Sequence, residues 1–145
     1  MIDLPFVALS AVARLPEPAH EGDAGLDLRS VEDVVIAPGA RHGVRVGLAV
    51  EIPPGHAGLV VPRSGLALRH GVTVLNGPGL IDPGFRGEVQ VPLLNTDRAE
   101  PFAIAIGDRV AQLVIVAVAP VQPRLVDGLS DSIRGTAGFG SSGVR

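Results

Sequence analysis

Glycine and proline are spaced so closely along this chain that few segments can form a helix of ordinary length. Its 145 residues include 19 Gly and 13 Pro, and both residue types destabilise the interior of a helix. The apolar residues fall in short runs between them, which is the pattern of an all-β sandwich or barrel. Because the length suits one domain, we predict a single all-β domain.

The apolar runs predict where the strands lie. Residues 44–52 alternate apolar and polar side chains before Pro and Gly residues interrupt them, which predicts one strand with one buried face. The longest run, residues 109–119, is rich in Val and Ile, and this favours a strand, although its length also allows a buried helix. Shorter runs occupy residues 59–61, 72–75, 89–94 and 102–106.

One short helix is predicted from Gly65 to His70, with Ser64 as its N-cap and Gly71 as its C-terminal stop. Arg63 and Ser64 would then place a guanidinium, a hydroxyl and free backbone N–H groups at a helix N-terminus, an arrangement typical of anion sites. The same residues also suit simple capping with a solvated Arg63. The local pattern leaves both interpretations open.

The stretch 76–88 (NGPGLIDPGFRGE) holds one carboxylate, Asp82, inside a dense run of turn residues. The residues before Asp82 are typical of a strand, residues 82–85 of a type II turn, and those from Glu88 onward of a returning strand. We therefore expect Asp82 at the tip of a hairpin, where an ionised carboxylate could act as a general base towards water. Asp favours turns in any case, so this stretch alone does not decide between catalysis and structure.

Composition excludes several classes of protein. Cysteine is absent, which rules out disulfides and thiolate metal sites and fits a reducing compartment. A net charge of −3 without a basic cluster, Tyr or Trp argues against a nucleic-acid partner. We see neither a signal peptide nor a run near the roughly 20 apolar residues of a membrane span. We therefore expect a cytoplasmic protein without nucleic-acid or membrane partners.

The C-terminal residues differ in character from the rest. We divide the chain into a domain at 1–127 and a glycine- and serine-rich segment at 128–145. Such a segment is either a frayed terminus or an arm that orders over a ligand. In the second case Phe139 could stack on a ring while Arg134 and Ser141 meet phosphate oxygens.

Five stretches taken together, in this order, resemble the trimeric dUTP diphosphatases, or dUTPases. Each is weak alone, but the five cover the chain from about residue 20 to its C-terminus. They are residues 23–28 (DAGLDL), 62–67 (PRSGLA), 76–88, 107–113 (GDRVAQL) and 134–143 (RGTAGFGSSG).

The resemblance implies a distorted jelly-roll (β-clip) subunit with one short helix and a flexible C-terminal arm. It also implies a homotrimer whose active sites are each assembled from all three chains. The reaction would convert dUTP into dUMP and pyrophosphate with Mg2+, which limits uracil in DNA and supplies dUMP for dTMP synthesis. A hydrophobic content of 46% fits apolar surface buried between subunits.

The same resemblance implies roles for individual residues. Asp82 matches the general base that activates the water attacking the α-phosphorus. Asp27 matches the carboxylate that steadies Mg2+ through water rather than as a direct ligand. Arg63 and Ser64 match the phosphate-binding pair, and Gln112 matches the residue that reaches the α-phosphate.

Further positions are matched to the rest of the substrate. On the arm, Phe139 would stack on uracil, with Arg134, Gly140 and Ser141 near the outer phosphates. The other substrate-binding positions are Gly65 beside the phosphates and, around the uracil, Asn76, Gly79, Leu80, Ile81 and Gln90.

Two positions depart from the family pattern. Phe85 stands where the family usually has a Tyr beneath the deoxyribose. Its ring can still crowd the 2′ position and so disfavour UTP, but the hydrogen bond of the hydroxyl is lost. Ala137 replaces a usual Gly of the arm and restricts the backbone there, so we expect the arm to close more slowly or less tightly.

Two other functions compete with this one. A dCTP deaminase, alone or bifunctional with dUTP hydrolysis, shares the fold and often the turn at 82–85, but it needs a Glu placed to activate water and typically has a second Ser where this chain has Gly65. Only Glu88 and Glu100 lie in the second half of the chain, and neither fits that pattern. A non-catalytic nucleotide-binding trimer would predict a broken catalytic set, whereas Asp27 and Asp82 are both present.

Overall fold

The computed structural model describes residues 2–133, 135, 136 and 138. Within them the chain forms eleven strands and one seven-residue helix, which confirms the all-β prediction. In chain order these are β1 (Phe6–Ala8), β2 (Leu26–Arg29), β3 (Val34–Ile36), β4 (Arg41–Arg45), β5 (Leu48–Val50), β6 (His56–Val61), α1 (Ser64–His70), β7 (Val72–Val74), β8 (Gly79–Ile81), β9 (Gln90–Asn95), β10 (Phe102–Ile104) and β11 (Arg109–Ala117).

The strands pair antiparallel in two main sheets. The larger has the order β2-β11-β6-β8 and the smaller the order β4-β9-β7, while β1 pairs with β5 and β10 with β3. Leu28 and Leu113 from the larger sheet belong to the same buried cluster as Val44 and Val91 from the smaller one. Burying these side chains between the sheets stabilises the domain.

The alternation over residues 44–52 is confirmed by burial but not as one strand. The five alternating apolar side chains of this run, those of Val44, Val46, Leu48, Val50 and Ile52, are each 4% exposed or less. The strand is nevertheless divided, because Gly47 has a φ of 66° between β4 and β5. A side chain at Gly47 would also lie 2.7 Å from Cγ1 of Val31, so the break depends on glycine.

The short helix is confirmed, and one of its predicted ends is wrong. Gly71 ends it with a φ of 62°, and the Gly71 N–H donates to the Ala67 carbonyl at 3.1 Å. Ser64 is the first helical residue rather than the N-cap. Arg63 occupies the N-cap with extended backbone, and no side-chain hydrogen bond caps the helix among the described residues.

The predicted hairpin around Asp82 is wrong. β8 pairs with β6, whereas β9 pairs with β4 and β7, so the segments on either side of Asp82 lie in different sheets. Hydrogen bonds of Glu88 hold the chain on its way from one sheet to the other. The Glu88 carboxylate accepts hydrogen bonds from Arg45 Nε at 3.1 and 3.2 Å and from the Gly47 N–H at 3.0 Å, which attaches the chain to the turn between β4 and β5.

The turn itself is present in another form. The Phe85 N–H donates to the Asp82 carbonyl at 3.1 Å, as a β-turn requires. Gly84 is not among the glycines with positive φ, and a type II turn needs positive φ at that position. The type II prediction is therefore wrong, and Asp82 starts a turn that joins two sheets.

The longest apolar run is a strand, β11, as its β-branched content favoured. It pairs with both β2 and β6 and so forms the middle of the larger sheet. After Ala117 the described residues form no further strand or helix, and Val121, Leu125, Leu129 and Ile133 are each at least 83% exposed. The division of the chain at residue 127 stays a prediction. No helix in the described part of the chain is both long and apolar enough to span a membrane.

Candidate active site

A small cavity lies between β8 and the beginning of β9. Its volume is about 130 Å³, and Val60, Val89 and Pro92 form much of its apolar wall. All six residues that the sequence matches to the base and sugar line this cavity: Asn76, Gly79, Leu80, Ile81, Phe85 and Gln90. A concave apolar site with a few polar groups is the usual form of a small-molecule pocket.

The backbone of β8 forms one wall because Gly79 has no side chain. A Cβ at Gly79 would lie 3.2 Å from Asn76 Nδ2 and 3.4 Å from Cβ of Val60. The Asn76 amide thus lies over Gly79, next to backbone groups at the edge of the sheet. An amide and peptide groups together offer donors and acceptors for the edge of a heterocycle.

A separate charged cluster surrounds Asp27, which is 5% exposed. Asp27 Oδ2 accepts from Arg109 Nη1 at 3.2 Å, and Oδ1 accepts from Gln112 Nε2 at 3.3 Å. Arg63 Nε lies 3.6 Å from Oδ1, and Arg63 Nη1 donates to the Arg109 carbonyl at 3.1 Å. Two guanidinium groups around one carboxylate leave an excess of positive charge, which suits a phosphate group.

The sheet register builds this cluster. Asp27 on β2 lies opposite Gln112 on β11, and Arg63 follows shortly after β6 on the other side of β11. Gly25 leaves room for the amide, since a Cβ there would lie 3.0 Å from Gln112 Cδ. Sequence reasoning gave Arg109 no role. Its position in the same motif as Gln112, with a charge opposite to that of Asp27, was the signal available.

Ser64 and Gly65 lie at the first turn of α1, directly after Arg63. The first N–H groups of a helix lack intrahelical partners and so can bind an anion. A Cβ at Gly65 would lie 2.7 Å from Arg69 Nη2. A guanidinium that the sequence analysis did not single out therefore lies beside this turn.

Asp82 directly follows β8, next to the cavity wall. Its side chain is exposed, and it lines another cavity together with residues at the start of β6 and residues 118–120 after β11. This second cavity shares Leu80 with the cavity at β8. Asp27, Arg63 and Gln112 do not line the cavity at β8, and β2, which carries Asp27, is the opposite edge strand of the larger sheet. Within one chain, Asp82 thus lies beside the cavity, whereas the charged cluster lies elsewhere.

The predicted residues of the arm lie outside the described part of the chain. They are Arg134, Phe139, Gly140 and Ser141, together with the departure at Ala137. Their roles stay predictions.

The Asp27 carboxylate fits a water-mediated contact with Mg2+ better than direct ligation. Both of its oxygens accept from protein donors, and two guanidinium groups lie within 3.6 Å. A dication bound directly would be repelled by those groups. Mg2+ usually keeps several of its waters, and these need only an acceptor. In the described part of the chain, no three His, Asp or Glu side chains gather to hold a metal ion themselves.

Comparison with known proteins matches the sequence to one family. A family model described as dUTPase matches residues 11–143. The chain belongs to the dUTPase family. A deoxyuridine 5'-triphosphate nucleotidohydrolase of Leifsonia xyli subsp. xyli is 53% identical over 142 residues, covering 98% of this chain and 91% of the relative. One from Mycobacterium leprae is 50% identical over 145 residues, covering 97% and 94%.

Solved dUTPase structures confirm the distorted jelly roll that the motifs implied. A Staphylococcus bacteriophage 80alpha dUTPase variant solved with dUpNHpp has a TM-score of 0.89 and 31% identity, covering 99% of this chain and 100% of that one. A dUTPase variant from phage phi11 of S. aureus has a TM-score of 0.83 and 28% identity, covering 90% and 100%. That second structure describes the coordination of a structural Mg(II) ion.

Proposed function

We propose that this chain hydrolyses dUTP to dUMP and pyrophosphate. The observation that carries the proposal is the cavity at β8, because all six residues matched to uracil and deoxyribose line it. The named relatives, at 53% and 50% identity, are deoxyuridine 5'-triphosphate nucleotidohydrolases. The charged cluster around Asp27 supplies the cationic groups that a triphosphate needs.

In this mechanism the Asp82 carboxylate accepts a proton from a water molecule as the water oxygen attacks the α-phosphorus. The bond from the α-phosphorus to the bridging oxygen breaks, and pyrophosphate leaves with that oxygen. Ser64 donates a hydrogen bond to the leaving oxygen, Arg63 and Gln112 bind the phosphates, and Gly65 lets its backbone approach them.

Mg2+ held through water by Asp27 would neutralise charge on the phosphate oxygens when bound. The arm completes the site. Phe139 stacks on the uracil, and Arg134, Gly140 and Ser141 contact the outer phosphates as the arm closes. The absence of cysteine fits a reducing compartment, and the cytoplasm is the location we propose.

We further propose that the active protein is a homotrimer with shared sites. The cavity and Asp82 lie at β8, on one edge of the larger sheet, whereas Asp27 lies on β2 at the opposite edge, so a neighbouring chain would have to supply the charged cluster that faces this cavity. The outward face of the larger sheet carries the partly exposed apolar side chains of Leu59, Val61 and Val114, with Leu80 62% exposed beside them. The exposed segment after β11 can reach a neighbouring subunit.

Product analysis tests the activity. Purified protein with Mg2+ receives dUTP, dCTP, dTTP or UTP separately, and pyrophosphate and ammonia are measured. We expect pyrophosphate from dUTP, with a rate about 1,000-fold lower in Asp82→Asn, because the general base is lost. Glu100→Gln, which alters another exposed carboxylate, should keep the wild-type rate. Ammonia from dCTP would identify a deaminase, and bound nucleotide without any product would identify a binding protein.

Sedimentation tests the trimer. We expect a trimer for the wild-type chain and dissociation in Val114→Lys, since a buried unpaired ammonium at a subunit interface is strongly unfavourable. The control is Val35→Lys, because Val35 is 65% exposed on another strand. A monomeric wild-type protein with full activity would contradict the shared site.

A further inference from the structure

The glycine two residues after Phe85 leaves space that the Phe85 ring fills. A Cβ at Gly87 would lie 2.8 Å from Cζ and 3.1 Å from Cε2 of that ring. Ordinary carbon–carbon contacts are about 3.5 to 4.0 Å. A methyl group at this position would therefore require the tip of the ring to move by about 1 Å.

The ring is the part of this loop that is free to move. The backbone is held by the Phe85 N–H bond to the Asp82 carbonyl and by Arg86 Nη1, which donates to the Phe85 carbonyl at 2.8 Å. Arg86 also pairs with Glu51 at 2.9 Å, and Glu88 is fixed to the turn between β4 and β5. Phe85 itself is 42% exposed, so its ring can turn at low cost.

The ring that a side chain at residue 87 would meet belongs to a residue of the cavity wall. Phe85 lines the cavity and Gly87 does not. We expect the displaced ring to narrow the space for the sugar. In a cavity of about 130 Å³, a displacement of this size matters, since a misplacement of about 1 Å can cost up to roughly 100-fold in an enzyme.

We infer that Gly87 is a positioning residue for the sugar. Because it lacks a side chain, the Phe85 ring can occupy the space beside residue 87, and the cavity stays wide enough for deoxyribose. The inference rests on the proposed dUTP-hydrolysing function. According to this inference, the space available to the sugar depends on Gly87 as well as on the Phe85 side chain.

The test uses the full-length protein and measures ligand binding, turnover and thermal unfolding. In Gly87→Ala we expect the Kd for dUMP and the KM for dUTP to rise about tenfold, with kcat within about twofold, because the change narrows the binding site without touching the water or its base. The KM for UTP should rise by at least the same factor, since its extra 2′ hydroxyl needs more room. The unfolding temperature should change little, as the ring yields.

The matched control is Gly84→Ala in the same turn. A Cβ at Gly84 would meet no atom within 4 Å, and Gly84 has no positive φ. This variant should bind dUMP like the wild type. Equal weakening in both variants would mean that any added methyl loosens the turn, and would overturn the assignment.

A double-mutant cycle isolates the contact. Phe85→Leu removes the ring atoms that a methyl at residue 87 would meet, so adding Gly87→Ala to it should change the Kd for dUMP by less than about twofold. The same tenfold loss in that background would show that the glycine acts otherwise. A wild-type protein that neither binds dUMP nor hydrolyses dUTP would instead refute the proposed function. Wild-type affinity in a folded Gly87→Ala protein would refute only the inference.

Discussion

The cavity at β8 and the charged cluster around Asp27 are built in opposite ways. The cavity is formed by the backbone of one strand at Gly79, by apolar side chains and by the two amides of Asn76 and Gln90, and it is open to a ligand. The cluster is formed by side chains from distant parts of the chain that already bind one another, with Asp27 at its centre and 5% exposed.

Because of this difference, we expect the cavity to affect mainly ligand binding and the cluster to affect the stability of the fold as well. A ligand entering the cavity displaces water, whereas a phosphate reaching the cluster competes with Asp27 for Arg63, Arg109 and Gln112. Substitutions in the cluster should consequently alter folding as well as binding, because they remove charge-assisted hydrogen bonds that hold distant strands together. Substitutions in the cavity should alter binding alone.

The largest effect is expected from Asp27→Ala. Two partly exposed guanidinium groups would lose the carboxylate between them. The free energy of unfolding should fall by about 2 kcal/mol, the loss expected when hydrogen bonds to a charged group are removed. Urea denaturation at one protein concentration measures it, since the stability of an oligomer depends on concentration.

The control for Asp27 is Glu51→Ala. Glu51 pairs with Arg86 at 2.9 Å, but both side chains are more than half exposed, so its loss should cost less than about 1 kcal/mol. Should the two variants prove equally stable, the cluster would be an ordinary surface ion pair, and the contrast with the cavity would disappear.

The family resemblance named residues of both regions, but it grouped those of the cavity more completely than those of the cluster. The matched cavity residues all lie within residues 76–90, so one stretch of the chain contains them, whereas Arg109 of the cluster was missed. The partners of Asp27 are 82 and 85 residues away, and which strands become neighbours depends on pairing across the whole chain. The same limit explains the wrong hairpin: the run after Glu88 was correctly predicted to be a strand, but its partners are β4 and β7.

The exact ends and interruptions of strands and helices could not be predicted from local sequence patterns either. The alternation at 44–52 gave the buried face correctly, yet the strand divides at the positive φ of Gly47, where Val31 leaves no room for a side chain, and no periodicity reveals either feature. Likewise Ser64 is a favourable N-cap residue by type, but Arg63 takes that position while its side chain lies near Asp27.

A smaller effect, confined to binding, is expected from Asn76→Ala. The side chain is exposed and lies over Gly79 at the cavity, so the free energy of unfolding should change by less than about 0.5 kcal/mol. Loss of one or two hydrogen bonds to the base should weaken binding of deoxyuridine about tenfold, or about 1.4 kcal/mol. Titrations followed by NMR with deoxyuridine and with pyrophosphate separate the two regions. Weaker pyrophosphate binding in this variant would show that cavity and cluster are coupled.

The smallest effect, and the sharpest test of the contrast, is expected from Gly25→Ala. The added Cβ would lie 3.0 to 3.2 Å from the three terminal atoms of Gln112, so the amide must shift by a few tenths of an ångström while the charged pairs around Asp27 remain. We expect kcat/KM for dUTP to fall about threefold to fivefold, with deoxyuridine binding and the unfolding transition unchanged. Gly84→Ala serves as the control for adding a methyl group elsewhere. If Gly25→Ala instead destabilises the fold as Asp27→Ala does, the Gln112 amide is part of what holds the cluster together. If only turnover falls, the Gln112 amide acts on the phosphate of the substrate, and the contribution of the cluster to the stability of the fold comes from its ion pairs alone.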